Sequence, residues 1–323
     1  MARRYIARII VLSVWIVCGL VVPSMGSSLP WIEGDVEGAI EAARSQDKRV
    51  MVYVTASWCS SCQALKREVL EVPAHGELLG EFVLVRVDFD LEASRRWVEA
   101  LVILGLPTVV VLDSGGRPVG RIRGYGDAES WTRELAALGE KADGRQAIEA
   151  AGREPGARPD AQLMLGRLLL ERGETQDGLA MLRAVATGGH EVAAPAALFI
   201  LGRFHHRVRR SPESARPLWR ELAIRYPKSP LAGGAWWWYA RAEAEAGSPG
   251  IGARALLDAA RSSPGEAPPI RRAAAYLEKH GSLAPVMKSE VLAGVERTLS
   301  ALGDEGQREP LEALRARLLA PPP

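Results

Sequence analysis

Arg49-Val50-Met51-Val52-Tyr53-Val54-Thr55 runs directly into Ala56-Ser57-Trp58-Cys59-Ser60-Ser61-Cys62. β-Branched side chains dominate the first seven residues, which predicts a buried strand. A helical pattern follows from Gln63 to Leu70, with Leu65, Val69 and Leu70 on one face. The cysteine pair therefore falls where a strand turns into a helix. Unpaired N–H groups and the helix dipole at that point stabilise a thiolate. The two-residue gap lets the second thiol reach the first, so a mixed disulfide can be resolved from within. The pattern predicts an exposed, attacking Cys59 and a resolving Cys62. Three other uses of the pair stand beside this one: a zinc knuckle, an inert structural disulfide, and a domain that keeps the pair only for binding. Zinc needs a second ligand pair, and His75, His190, His205, His206 and His280 form none at workable spacing. No metal and no cofactor is expected.

Downstream, Phe82-Val83-Leu84-Val85-Arg86-Val87 predicts a second strand, ended by Asp88-Phe89-Asp90. Glu92–Val102 predicts a helix with Trp97, Val98 and Leu101 apolar. Thr108–Leu112 is a third strand, and Asp113-Ser114-Gly115-Gly116 a hairpin turn. Pro118–Arg123 returns as an edge strand, where an early proline is tolerated. Asp127 caps a last helix through Leu138, with Trp131 and Leu135 inward. The order is βαβ followed by ββα, about 110 residues in all, a normal domain size.

Residues 31–139 resemble the thioredoxin superfamily. More closely, they are similar to the C-terminal periplasmic domain of the bacterial transmembrane thiol:disulfide interchange protein. The matching residues are Ala56-Ser57-Trp58-Cys59-Ser60-Ser61-Cys62, Leu104-Gly105-Leu106-Pro107-Thr108, Arg123-Gly124-Tyr125 and Asp127-Ala128-Glu129. The resemblance implies an α/β thioredoxin fold, a central mixed sheet flanked by helices. It implies a cis Pro107 facing the cysteines, and a Leu106 that offers its backbone to an incoming substrate strand. Trp58 would cover the site on one side. Two positions depart from the family. Tyr53 stands where many members carry a buried acid, and Lys66 where the interchange domain tends to have another. Fewer carboxylates and an added cation favour the Cys59 thiolate, so a lowered Cys59 pKa is expected. The interchange protein also has a multi-span membrane domain that supplies electrons, and this chain shows no such segment. Its reducing equivalents are expected from a separate membrane or envelope thiol protein.

The amino terminus predicts a leader. Arg3, Arg4 and Arg8 precede an apolar run of 14 residues, Ile9–Val22, and then Pro23-Ser24-Met25-Gly26-Ser27-Ser28. A membrane-spanning helix takes roughly 20 residues, so the run is short for an anchor. Basic, apolar, small is the order of a secretory signal peptide, here cleaved after Gly26. An uncleaved anchor facing the periplasm is the alternative, and only then would the chain meet a membrane. After cleavage Cys59 and Cys62 are the sole cysteines, in a compartment that permits disulfide chemistry.

Composition narrows the rest. The 323 residues are 47% apolar and 25% charged, which excludes disorder and suits about two domains. Lys+Arg 41 against Asp+Glu 39 gives +2, too balanced to suggest nucleic-acid binding. The expected division is a signal peptide at 1–26, a thioredoxin-like domain at 31–140, a linker at 141–159 and a helical-repeat domain at 160–320. The linker rests on Ala151-Gly152-Arg153-Glu154-Pro155-Gly156-Ala157-Arg158-Pro159. Beyond it Leu165-Gly166, Leu201-Gly202 and Tyr239-Ala240 recur at spacings of 36 and 38. Gly173, Arg209 and Gly247 follow at one common offset, then Gly178, Ser214 and Gly252, then Leu182, Leu218 and Leu256. This resembles degenerate tetratricopeptide repeats. Further helices are expected at Ile270–His280, Leu283–Leu302 and Leu311–Leu319.

Such arrays bind protein segments on their concave face. Trp236-Trp237-Trp238-Tyr239 cannot all face one side of a helix. Trp236 and Tyr239 fall at core positions, while Trp237 and Trp238 are either core or exposed anchors for a docked partner. Arg203-Phe204-His205-His206-Arg207-Val208-Arg209-Arg210 reads as a solvated basic helix end, with contact to an acidic partner or an anionic lipid surface as the alternative. The sequence as a whole predicts an exported thiol–disulfide oxidoreductase that reduces, or relays electrons to, protein disulfides. Its repeats would dock a protein partner. The rival expectation is an envelope scaffold in which the repeats are the function and the cysteines secondary.

Overall fold

The computed structural model of the chain describes residues 29–139, 142–262, 266–280 and 284–320. The predicted leader and the final Pro321-Pro322-Pro323 lie outside these residues. The first region holds strands β1 (Trp31–Glu33), β2 (Arg49–Thr55), β3 (Phe82–Asp88), β4 (Thr108–Leu112) and β5 (Pro118–Arg123) in one sheet of order β1-β3-β2-β4-β5. β3 runs parallel to β1 and β2, and β4 runs antiparallel to β2 and β5. Helices α1 (Val36–Gln46), α2 (Ser60–Leu65), α3 (Gly76–Gly80), α4 (Arg95–Ala100) and α5 (Ala128–Ala136) accompany it. This is the expected thioredoxin fold.

β2 is interior to the sheet, and Val50 to Val54 are all buried. Both faces of the strand are covered, so its apolar residues run on without alternation. Val50, Val52 and Val54 pack with Val36, Ala39 and Ala43 of α1. Met51 and Tyr53 point the other way and share a core with Cys59, Cys62, Trp131 and Leu135. β2 thus carries the cysteines at its C-terminal end, out of one of two apolar layers. β1 and α1 add to the predicted elements. β1 has three residues, too few to show a period. α1 has an Asp35 cap whose side chain accepts from Gly38 N at 2.8 Å.

The second region is a train of helices: α6 (Ala142–Arg153), α7 (Pro159–Glu171), α8 (Thr175–Thr187), α9 (Ala193–Arg203), α10 (Pro212–Arg225), α11 (Ala232–Glu245), α12 (Pro249–Ser262), α13 (Ala267–Lys279), α14 (Ala284–Ala301) and α15 (Arg308–Leu319). Each packs chiefly on its sequence neighbours, which fits a repeat-like array. No helix among the described residues is long and apolar enough to cross a membrane.

Two expectations need correction. Most of the predicted 141–159 linker is α6, and among its described residues the stretch from 154 to 158 lacks helix. Gly152 breaks nothing: a Cβ there would sit 2.5 Å from Leu165 Cβ, so the glycine serves close helix approach. The repeat alignment also slips by one residue in its second unit. The left-handed turn positions are Gly173, Arg210 and Gly247, in place of the predicted Arg209. The buried small residues are Gly178, Ala215 and Gly252, while Ser214 is exposed. The buried large ones are Leu182, Trp219 and Leu256, while Leu218 is half-buried. The cause lies in Phe204–Val208, a π turn in which Arg209 N donates to Phe204 O at 3.0 Å. Such a turn inserts one residue into a helix.

Candidate functional site

β2 ends at Thr55, and the chain turns through Ala56-Ser57-Trp58 to reach α2. Cys59 is the N-cap of that helix. Its sulfur accepts from Cys62 N at 3.2 Å, so one otherwise unpaired helix N–H points at the thiol. Cys59 and Cys62 are joined as a disulfide, with S–S 2.06 Å and Cα–Cα 5.2 Å. Ser61 Oγ lies 3.5 Å from Cys59 Sγ. Cys62 is fully buried and Cys59 is 6% exposed. Cys59 is thus far less open than the exposed thiolate expected from the sequence. It turns inward to cap the helix and packs with Ala56 and Leu65.

Thr108 of β4 pairs with Val54 of β2, so the turn before β4 sits at the same sheet end as the cysteines. That turn holds Leu106 and Pro107, and their peptide bond is cis. Pro107 O accepts from Gly124 N at 2.8 Å, and Thr108 Oγ1 donates to Gly105 O. Leu106 takes part in no backbone hydrogen bond among the described residues. Its N–H and carbonyl are available to an extended chain.

Tyr53 reaches the pair from below. Its hydroxyl donates to Cys62 O at 3.0 Å, and burial raises its pKa. It anchors the helix and stays protonated. Lys66 pairs with Glu71 at 3.3 Å, so its charge is spent there. Tyr125 donates to Glu68 at 2.5 Å on the same helix turn.

The helical region closes over the site. Trp58 is 55% exposed and is fixed by Nε1–H donating to Asp90 at 2.6 Å. The Arg207 guanidinium lies 5.5 Å from the Trp58 ring, 5.1 Å from Phe89 and 5.1 Å from Trp238. Arg203, one turn earlier, lies over Phe199 and Trp238 at 5.4 and 5.1 Å. Its Nη2 would be 3.1 Å from a Cβ at Gly105. Burial pushes Arg203 down to about 10 and Arg207 down to about 9, the latter helped by repulsion from Arg203 and Arg241. Arg210 bonds Glu92, and Arg123 of β5 bonds Glu171 of α7.

These contacts revise the reading of the basic run. Arg203 and Arg207 are not a solvated helix end but the joint between the two regions. The signal was present, since residues 203 and 207 are spaced for one helix face, but charge alone argued for solvent. Trp238 lies in the same joint, half-buried, stacked on Trp219 at 5.9 Å. Trp237 sits elsewhere, half-buried against Tyr276 at 6.3 Å, and lines a different cavity with Pro268 and Arg272. Trp236 and Tyr239, placed at core positions by the repeat, are half-buried as well. Among the described residues no cluster of His, Cys, Asp or Glu could hold a metal ion.

A family model described as a thioredoxin-like domain matches residues 36–139. The thiol:disulfide interchange protein DsbD of Cronobacter sakazakii is 29% identical over 97 residues, which cover 29% of this chain and 17% of that protein. The protein of the same name from Vibrio cholerae is 30% identical over 95 residues, 28% of this chain and 16% of its own. The chain therefore spans under a fifth of the length of these relatives. A thioredoxin from Thermus thermophilus, solved in solution, matches at 28% identity and a TM-score of 0.33, over 36% of this chain and 91% of its own. Residues 36–139 form a thioredoxin-like domain related to that of the thiol:disulfide interchange proteins.

Proposed function

We propose that this chain is an exported thiol–disulfide oxidoreductase that reduces, or relays electrons to, protein disulfides through Cys59 and Cys62. The carrying observation is the cysteine pair at the start of α2 beside the Leu106–Pro107 turn. In the reduced protein the Cys59 thiolate attacks one sulfur of a client disulfide. A mixed disulfide forms and the client's other sulfur leaves as a thiolate. Cys62 then attacks Cys59, the enzyme disulfide forms and the client's second sulfur leaves. Two electrons pass to the client, which takes up two protons. The hydrogen bond from Cys62 N favours the attacking thiolate. Tyr53 and Trp58 hold the helix and the site's rim, and Leu106 offers its backbone to the client strand. Lys66 is engaged by Glu71, so the helix terminus is the main support of the thiolate.

The predicted leader supports the periplasm as the compartment of this chemistry, with a separate envelope thiol protein returning electrons. The helical array, read as tetratricopeptide-like, docks a protein partner and raises its effective concentration at Cys59. The test is capture. Cys62→Ser should accumulate a mixed disulfide with its client, and adding Cys59→Ser should abolish it. Partner binding and phenotype that ignore both changes would leave the scaffold reading in place.

A further inference from the structure

The cleft between the two regions holds two guanidiniums to which no carboxylate of the described residues is bonded. Arg203 lines a cavity of about 340 Å³ whose opposite wall is the Gly105–Thr108 turn. Arg207 and Trp238 line a second cavity, of about 310 Å³, bounded by Trp58 and Phe89. The two cavities thus border the residue before Cys59 and the turn that faces it. Both guanidiniums lie over the one Trp238 ring. Arg207 is only 9% exposed.

Every carboxylate in reach is already committed. Asp90 accepts from Trp58. Glu245 accepts from His206 and Arg241. Glu171 accepts from Arg123 and Arg167, and Glu92 from Arg95 and Arg210. Arg203 and Arg207 form no hydrogen bond or close ion pair among the described residues; both rest on aromatic faces, and Asp90 and Glu245 attract Arg207 only from beyond ion-pair distance. A desolvated cation with no carboxylate bonded to it is costly, and ring faces offset part of that cost. Guanidinium groups held in this way keep their N–H forks free for a planar carboxylate. The π turn strengthens the point: its extra residue breaks the repeat and puts both arginines against one ring.

We propose that this cleft is a carboxylate subsite, in which Arg203 and Arg207 receive acidic side chains flanking the cysteine of an extended client segment laid along Leu106. The proposal rests on the thiol–disulfide function above and names its substrate class: acid-flanked disulfides. The electron balance is unchanged. The client disulfide gains two electrons and two protons from the Cys59–Cys62 dithiol, which a dithiol reductant restores. The arginines bind and donate nothing to the redox step.

The test uses the full chain and two synthetic peptides, identical except for Glu or Gln on either side of a central position. With serine at that position, binding is read by tryptophan fluorescence. With cysteine in a disulfide, reduction by the pre-reduced protein is read by chromatography. The Glu peptide should bind at least about tenfold tighter at low salt, the scale of one charged hydrogen bond. High salt should shrink the ratio. Arg203→Gln and Arg207→Gln should each drive it towards one, while Arg254→Gln, in an exposed pair with Glu290 far along the array, should keep it. Equal binding of the two serine peptides by the wild type overturns the subsite, whatever the variants do. So does a ratio that survives both arginine changes. If the Glu preference holds in binding but neither disulfide is reduced, the subsite stands and the redox function falls.

Discussion

Replacing Glu171 by glutamine probes how the two regions are held together. Glu171 is 13% exposed in its side chain and accepts from Arg123 on β5 and from Arg167 on its own helix. A hydrogen bond to a charged partner contributes about 1.5–3 kcal/mol. Both arginines are more than a third exposed, at 37% and 40%. Solvent screening therefore cuts the total to roughly 1–2 kcal/mol. Burial already holds the Arg123 guanidinium below its ordinary value, with Glu171 opposing that shift. Without the carboxylate, Arg123 keeps the burial and loses the compensation. At about 2–4 °C per kcal/mol for a chain of this size class, Glu171→Gln should lower the unfolding midpoint by about 2–8 °C. Thermal unfolding followed by circular dichroism, at low and high salt, measures it. The deficit should be largest at low salt. The same change adds net positive charge to the cleft wall, so the acidic peptide should bind more tightly to the less stable protein. A wild-type midpoint at low salt, or unchanged peptide affinity, would refute the reasoning.

Two further outcomes are expected. Burial pushes the Glu245 carboxyl up, but hydrogen bonds from His206 and Arg241 outweigh it and hold the group down to about 2. A depressed carboxylate stabilises the fold above its unfolded pKa of about 4.3. That contribution drains away as pH falls from there towards 2. Urea titrations across this window should show a shallower acid loss for Glu245→Gln than for the wild type, and identical slopes would count against the pairing. Gly252→Ala should destabilise, although helix propensity alone predicts a gain of about 1 kcal/mol. A Cβ there would lie 2.6 Å from Tyr276 Oη and 2.7 Å from Ala240 O. The displaced hydroxyl would also lose its bonds to Ala240 O and Pro249 O. Overpacking and the lost bonds together make a net loss of about 1–4 kcal/mol, and a stabilised variant in chemical denaturation would contradict the helix contact.

The elements around the cysteines were legible because they are buried and locally encoded. β2 needs an unbroken apolar run, α5 carries its own Asp127 cap, and the β4–β5 turn has glycine where φ is positive, at Gly116. What escaped depends on partners distant in sequence. Gly152 reads as a breaker until Leu165 is seen against it. The inward turn of Cys59 follows from its capping bond and from core neighbours. Arg207 looks solvated until Trp58 and Phe89, more than a hundred residues away, come to face it, and Arg203 until the turn at Gly105 does. The slip in the repeat was beyond any fixed-period reading, since a π turn changes the period itself.

That turn also limits how the chain could be recombined. Deleting one residue from Phe204–Val208 would restore the spacing of the flanking hairpins and bring Arg210, the left-handed residue, to the offset that Gly173 and Gly247 hold. It would also change the helical phase between Arg203 and Arg207, which the π turn now sets. The hairpin would become a better copy of its neighbours, and Arg203 and Arg207 would no longer share a ring. Consensus averaging is an ordinary route to sturdier repeat arrays. Applied here, it would erase the irregularity that fits this hairpin to the thiol end of the molecule.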